Sequence, residues 1–105
     1  MTLAAKDRLR MRAIQWADRL RVQPRQIRIQ DMSRKWGSCS SSGWVTFSSD
    51  LARKRLAFQD YVIVHELLHL RIRNHGKLFS STLCAHLRGN PWATAQPRGV
   101  PVRRF

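Results

Sequence analysis

Asp60-Tyr61-Val62-Ile63-Val64-His65-Glu66-Leu67-Leu68-His69-Leu70-Arg71-Ile72-Arg73-Asn74-His75-Gly76 holds three of the four histidines of the chain and its only glutamate. Val62, Ile63, Val64, Leu67, Leu68, Leu70 and Ile72 are apolar nearly all round a helix, so the spacing predicts a buried helix from about Leu56 to Arg73. A buried helix needs a reason for carrying two histidines and a carboxylate, because removing them from water without partners is costly. His65 and His69 are four residues apart and share one helix face, so both rings can point at one ion; with Glu66 they form an H-E-x-x-H motif. Three neutral imidazoles suit zinc, and three protein ligands leave a fourth position open, as catalytic sites require. Zinc lowers the pKa of its water to about 7, and Glu66 would take the proton as general base and pass it to the leaving amine. The third ligand is His75. On a continuing helix it would sit about 240° round from His69, facing away. It reaches the ion only if the chain turns, and Asn74 and Gly76, which flank it, both tolerate left-handed backbone. The expected site is therefore Zn2+ on His65, His69 and His75, with Glu66 as the catalytic residue.

Upstream, Leu9, Ala13, Trp16, Ala17 and Leu20 make one apolar stripe on a first helix that Thr2 could cap and that runs to about Arg21, with Arg8, Arg12 and Arg19 facing solvent. Pro24 closes that region. Gln26 to Asp31 alternates polar residues with Ile27 and Ile29 and reads as a short strand. Lys35 to Cys39 and Trp44 to Phe47 flank the turn Ser40-Ser41-Ser42-Gly43 and read as an antiparallel pair. Downstream, a third helix covers about Lys77 to Leu87 with Leu78, Phe79, Leu83 and Leu87 as its stripe, and Gly89-Asn90-Pro91 ends it. The fold class is α+β: three helices with about three strands. Residues 1–92 make a single domain, and residues 93–105 an extended C-terminal tail that is long enough, through Pro97, Pro101 and Phe105, to fold back over the site.

The chain has 105 residues, 43 % of them hydrophobic, enough for one core and too few for two domains. No run of about 18 apolar residues exists, which excludes a membrane span, and the N-terminus lacks the apolar run of a secretory signal. The expectation is a cytoplasmic monomer. Cys39 and Cys84 form no Cys-x-x-Cys pair, which argues against a zinc ribbon and for reduced thiols. His86 falls on the third helix as a surface residue. Twenty lysines and arginines face six acidic residues, a net charge of +14, and sixteen of the twenty are arginine. Such a field attracts nucleic acid or acidic partners and gives weak nonspecific nucleic-acid binding. Trp36 and Trp44 are core candidates that could also line a cleft beside the metal.

Trp36-Gly37-Ser38-Cys39-Ser40-Ser41, then Asp60 to Leu70, then Asn74-His75 and Phe79, resemble the YgjP-like family of metal-dependent hydrolases, which is related to the minimal zincin peptidases of the WLM and SprT-like kind. The resemblance covers about Met32 to Phe79. It implies a zincin fold, with a small antiparallel sheet over an active-site helix, zinc on His65, His69 and His75, and Glu66 as acid/base in hydrolysis of peptide bonds. Gly76 and Ser80 depart from the family pattern, which usually has Ser and an aromatic residue there. The histidine spacing also matches the metzincins, but that group needs Gly where Ile72 stands and a Met-turn after the third histidine, whereas Met1, Met11 and Met32 all precede it.

The leading expectation is a zinc metallopeptidase acting on a protein or peptide whose strand adds to the sheet edge, along Trp44 to Phe47. Tyr61, Arg71 and Arg73 are candidates for stabilising the oxyanion. Two other readings use the same residues: a basic nucleic-acid-associated module with a structural zinc site, and a zinc hydrolase of non-peptide amides or esters.

Overall fold

Leu9, Ala13, Trp16, Ala17 and Leu20 recur at helical spacing, and in the computed structural model, which describes residues 4–94, they are the buried stripe of α1 (Ala5–Leu20). The helix ends where Arg21 adopts left-handed backbone (φ 55°, ψ 45°) and the Val22 N–H reaches back to the Ala17 carbonyl at 3.0 Å. That geometry satisfies orphan carbonyls of the last turn and usually falls to glycine.

Three strands follow: β1 (Gln26–Gln30), β2 (Gly37–Cys39) and β3 (Trp44–Ser48), in the order β1-β3-β2. β2 and β3 form the expected antiparallel hairpin, with Gly37 opposite Phe47 and Cys39 opposite Val45. Its turn is closed by the Gly43 N–H donating to the Ser40 carbonyl, and Gly43 takes φ 94°, which side chains rarely adopt. β1 runs parallel to β3, from Gln26 opposite Trp44 to Gln30 opposite Ser48. The sheet is therefore mixed, not antiparallel throughout. Val45, Thr46, Phe47 and Ser48 are all buried, so β3 is the strand that gains most from neighbours on both sides, and it inserts between β1 and β2. One consequence corrects an expectation: Trp44 to Phe47 has no free edge. β1 and β2 are the edge strands.

A 3₁₀ turn (Ser49–Arg53) leads into α2 (Leu56–Leu68), then α3 (Lys77–His86) and a short α4 (Pro91–Thr94). α2 packs on β2 and β3, with α1 beside it and α3 and α4 on its other side. Val62, Ile63, Val64 and Leu67 are completely inaccessible to solvent. On α3 the stripe is Phe79, Leu83 and Leu87; Leu78, also expected inside, is exposed. Trp36 lies in the core edge-on to Phe58, with centroids 5.2 Å apart, and Trp92 packs on the other side of Phe58. Trp36 therefore lines no cleft. Trp44 is half-buried beneath the Arg28 guanidinium. Cys39 and Cys84 are unbonded and half-buried, and His86 is exposed, as expected. No described helix is long and apolar enough to cross a membrane. Thr2 and most of the expected C-terminal tail lie outside the described residues.

Arg12 does not simply face solvent. Its Nε and Nη2 donate to the two oxygens of Asp60 at 2.6 and 2.9 Å, and the Trp16 indole N–H donates to the same carboxylate at 2.7 Å. This ion pair fixes α1 against the first half of the helix that carries the histidines. Replacing Asp60 with Ala should cost about 1.5–3 kcal/mol, the usual worth of hydrogen bonds to a charged group, read as a shift in the urea midpoint.

Candidate metal centre

α2 stops at Leu68, five residues short of the expected Arg73, with His69 as its C-cap. The chain then tightens: the His69, Leu70 and Arg71 N–H groups each donate to the carbonyl three residues back, at 3.2, 3.1 and 2.9 Å. This tightening swings the chain away from the helix axis and returns His75 to the face that presents His65 and His69. Nothing in Arg71-Ile72-Arg73 breaks a helix by itself. What holds the turn is a local side-chain-to-backbone bond: the Ile72 carbonyl lies 3.1 Å from His69 Nδ1.

The three imidazoles converge. His75 Nε2 lies 3.2 Å from His65 Nε2 and 2.9 Å from His69 Nε2, and one ligand nitrogen from each ring falls within 4.8 Å of the others. Ligands at about 2.0–2.1 Å around a tetrahedral ion stand about 3.3 Å apart, so the spacing fits a single small cation. His69 Nδ1–H donating to Ile72 leaves Nε2 as a lone pair and fixes the ring's orientation. Burial, then the neighbouring His69 and His75, hold His65 down at about 3. Burial and His75 lower His69 as well. Both rings are neutral near pH 7, the form in which imidazole binds metal.

Glu66 is 1 % exposed, and its Oε2 has no hydrogen-bond partner. Burial raises its carboxyl to about 8, against the lowering influence of Lys35. A carboxyl this deep and this poorly partnered is unexpected in a structural role, and a cation beside it would return it to the ionised form. Glu66 is not a member of the converging set, which among the described residues is His65, His69 and His75. The orphaned oxygen and the three ring nitrogens together fit a divalent metal.

Two supporting residues were not assigned a site role from sequence. Phe79 on α3 is buried against all three imidazoles: it stacks on His69 with centroids 4.8 Å apart and meets His65 and His75 edge-on at 5.1 and 5.0 Å. Its H-stripe position gave the burial but not the ring contacts. Gly37 lets β2 approach Glu66. A Cβ there would lie 2.9 Å from Glu66 Cγ, closer than real Cβ contacts, and a tight 3.2 Å from the Thr46 carbonyl oxygen. Gly37→Ala should therefore displace Glu66 and lower turnover at least about tenfold, while the overpacking costs about 1–3 kcal/mol. Steady-state rates together with thermal unfolding check both. Of the oxyanion candidates, Arg71 and Arg73 donate to the Leu20 and Ser41 carbonyls, whereas the Tyr61 ring lies 6.0 Å from that of His65. Burial raises the Tyr61 hydroxyl above its usual range and keeps it a donor.

The family described as YgjP-like, metallopeptidase domain matches residues 1–96. The crystal structure of the metallopeptidase zymogen abylysin of Pyrococcus abyssi is similar in fold, with a TM-score of 0.67 over 81 % of this chain and 84 % of that one, at 20 % identity. No curated protein matches the sequence significantly.

Proposed function

The chain belongs to the YgjP-like metallopeptidase family, and from that membership we propose that it hydrolyses peptide bonds with zinc held by His65, His69 and His75 and with Glu66 as general base. The observation that carries this reading is the convergence of three ring nitrogens beside a buried carboxylate whose Oε2 has no partner. A zinc ion held there supplies Lewis acidity toward the scissile carbonyl and acidifies water to a pKa of about 7.

The residues of the chain do the rest. Glu66 accepts a proton from the attacking water and delivers it to the leaving amine nitrogen, and its burial keeps competing solvent from that carboxylate. Tyr61 is the donor candidate for the oxyanion, because it precedes His65 by one helical turn. β2 is an edge strand beside Glu66, so its outer N–H and C=O groups can hold an extended substrate backbone. This replaces β3 as the receiving edge.

A panel of unfolded proteins set against small amides and esters tests the substrate class. Fragments from the unfolded proteins, abolished by chelation, are the expected result. Turnover confined to the small amides or esters would overturn peptide-bond hydrolysis while leaving the metal site intact.

A further inference from the structure

Arg71 and Arg73 stand in the turn between His69 and His75. With Arg21, Ser41, Ser42 and Leu70 they line an open cleft of about 470 Å³. None of the residues that line it is acidic. Arg73 spends one donor on the Ser41 carbonyl at 3.3 Å and Arg71 one on the Leu20 carbonyl at 3.4 Å, out of the five that each guanidinium carries. These bonds brace the side chains along the cleft and leave donors to spare.

Arg21 adds a second observation. It is the one non-glycine residue at positive φ among the described residues, at a helix C′ position that glycine fits best. Arg21 is thereby a third arginine that lines the cleft beside Arg71 and Arg73.

The third observation is placement. The wall Ser41-Ser42 belongs to the turn that directly follows β2, and Arg73 donates to the Ser41 carbonyl of that turn. An extended peptide on the outer edge of β2 advances about 3.3 Å per residue, and past Cys39 it runs toward the Ser41-Ser42 wall of the cleft. We propose that this cleft is a specificity subsite that takes an aspartate or glutamate side chain of the substrate. Three arginines lining one concavity suit one carboxylate, with bidentate pairing available. A nucleic-acid face would instead spread its cations along successive phosphates. The inference rests on the peptidase reading above, and its test is read by binding as well as by cleavage.

The test uses the full chain carrying Glu66→Gln, which binds without turnover. Two fluorescein-labelled octapeptides serve as probes, one alternating valine with glutamate and one alternating valine with glutamine. Fluorescence anisotropy at about 0.15 M salt suppresses long-range attraction. The glutamate peptide should bind at least about tenfold more tightly than the glutamine peptide. Arg71→Gln with Arg73→Gln should remove that preference. Arg53→Gln with Arg55→Gln removes the same charge from exposed residues outside the cleft and should leave the preference within about twofold. If the cleft pair fails to fold, Arg71→Lys with Arg73→Lys keeps the charge, loses the bidentate fork and should still lower the preference. Equal loss from both arginine-to-glutamine pairs would overturn the subsite in favour of the general field. So would a preference untouched by the cleft pair, or a short DNA duplex that loses more affinity to the cleft pair than the glutamate peptide does. Failure of the peptidase reading is visible separately, as wild-type protein from the same preparation that cleaves no unfolded protein.

Discussion

Glu66→Gln should leave the metal content of the protein unchanged and lower peptide hydrolysis by about 10²–10⁴-fold, the usual range for loss of a general base. The amide is nearly isosteric with the carboxylate and fills the same space against Gly37 and the core, so the fold has no reason to move. It cannot take a proton from water. Glu66 also lies outside the set of converging ring nitrogens, so metal loading does not depend on it. The variant should be at least as stable as the wild type when metal-free. A carboxyl raised to about 8 by burial loses stability as its unfolded counterpart ionises, because between about pH 4.5 and 8 the folded state binds more protons than the unfolded one. The neutral amide escapes that loss. Parallel elemental analysis, turnover and urea unfolding of the metal-free forms check all three statements. An active Glu66→Gln protein would remove Glu66 as the base.

Metal removal produces the second large effect. Chelation should abolish hydrolysis and lower the unfolding midpoint, since an ion that binds only the folded state stabilises it by about 4 kcal/mol at a thousandfold excess over Kd. His75→Ala should mimic chelation in activity, because His75 makes the short nitrogen contacts to both of the other rings. Acid should do the same by a different route. Protons compete with the ion for the ring nitrogens, so loading is complete at neutral pH and falls as pH drops. Burial holds the pKa of His65 at about 3 and lowers that of His69, so these two rings resist protonation below the ordinary imidazole value of about 6.5. Release should therefore be centred below that value. Metal content after dialysis at stepped pH, with circular dichroism to confirm that the fold persists, reads this directly.

How far the site was legible depends on whether its cause shows in residue spacing. His65, Glu66 and His69 are fixed by spacing on one helix, and the structure places them as that spacing requires. The stripe of α1 and the β2–β3 hairpin are equally local, one set by periodicity and the other by Ser-Ser-Gly turn chemistry. The end of α2 is local too, yet spacing does not show it, because a side-chain bond sets it. Arg71, Ile72 and Arg73 are all acceptable in a helix, and the turn there is held by the bond from His69 Nδ1 to the Ile72 carbonyl, a partner that periodicity cannot report. Strand order is likewise invisible to alternation: β1 reads as a half-buried strand whether it pairs parallel or antiparallel. Leu78 looks like core by type, yet Phe79 takes the inward position, because a ring can meet three imidazoles at once and an exposed leucine costs little. Gly37 reads as an ordinary strand glycine until Glu66 is seen behind it. Arg12 looks solvent-facing until Asp60, far along the chain, comes within 2.6 Å.

The central claim is a catalytic zinc on His65, His69 and His75, and metal stoichiometry tests it most directly. Untagged protein, purified without added metal and analysed for elemental content, should carry about one zinc per chain, the count expected of a single three-histidine site. A ratio near zero that stays there after zinc reconstitution would contradict the claim.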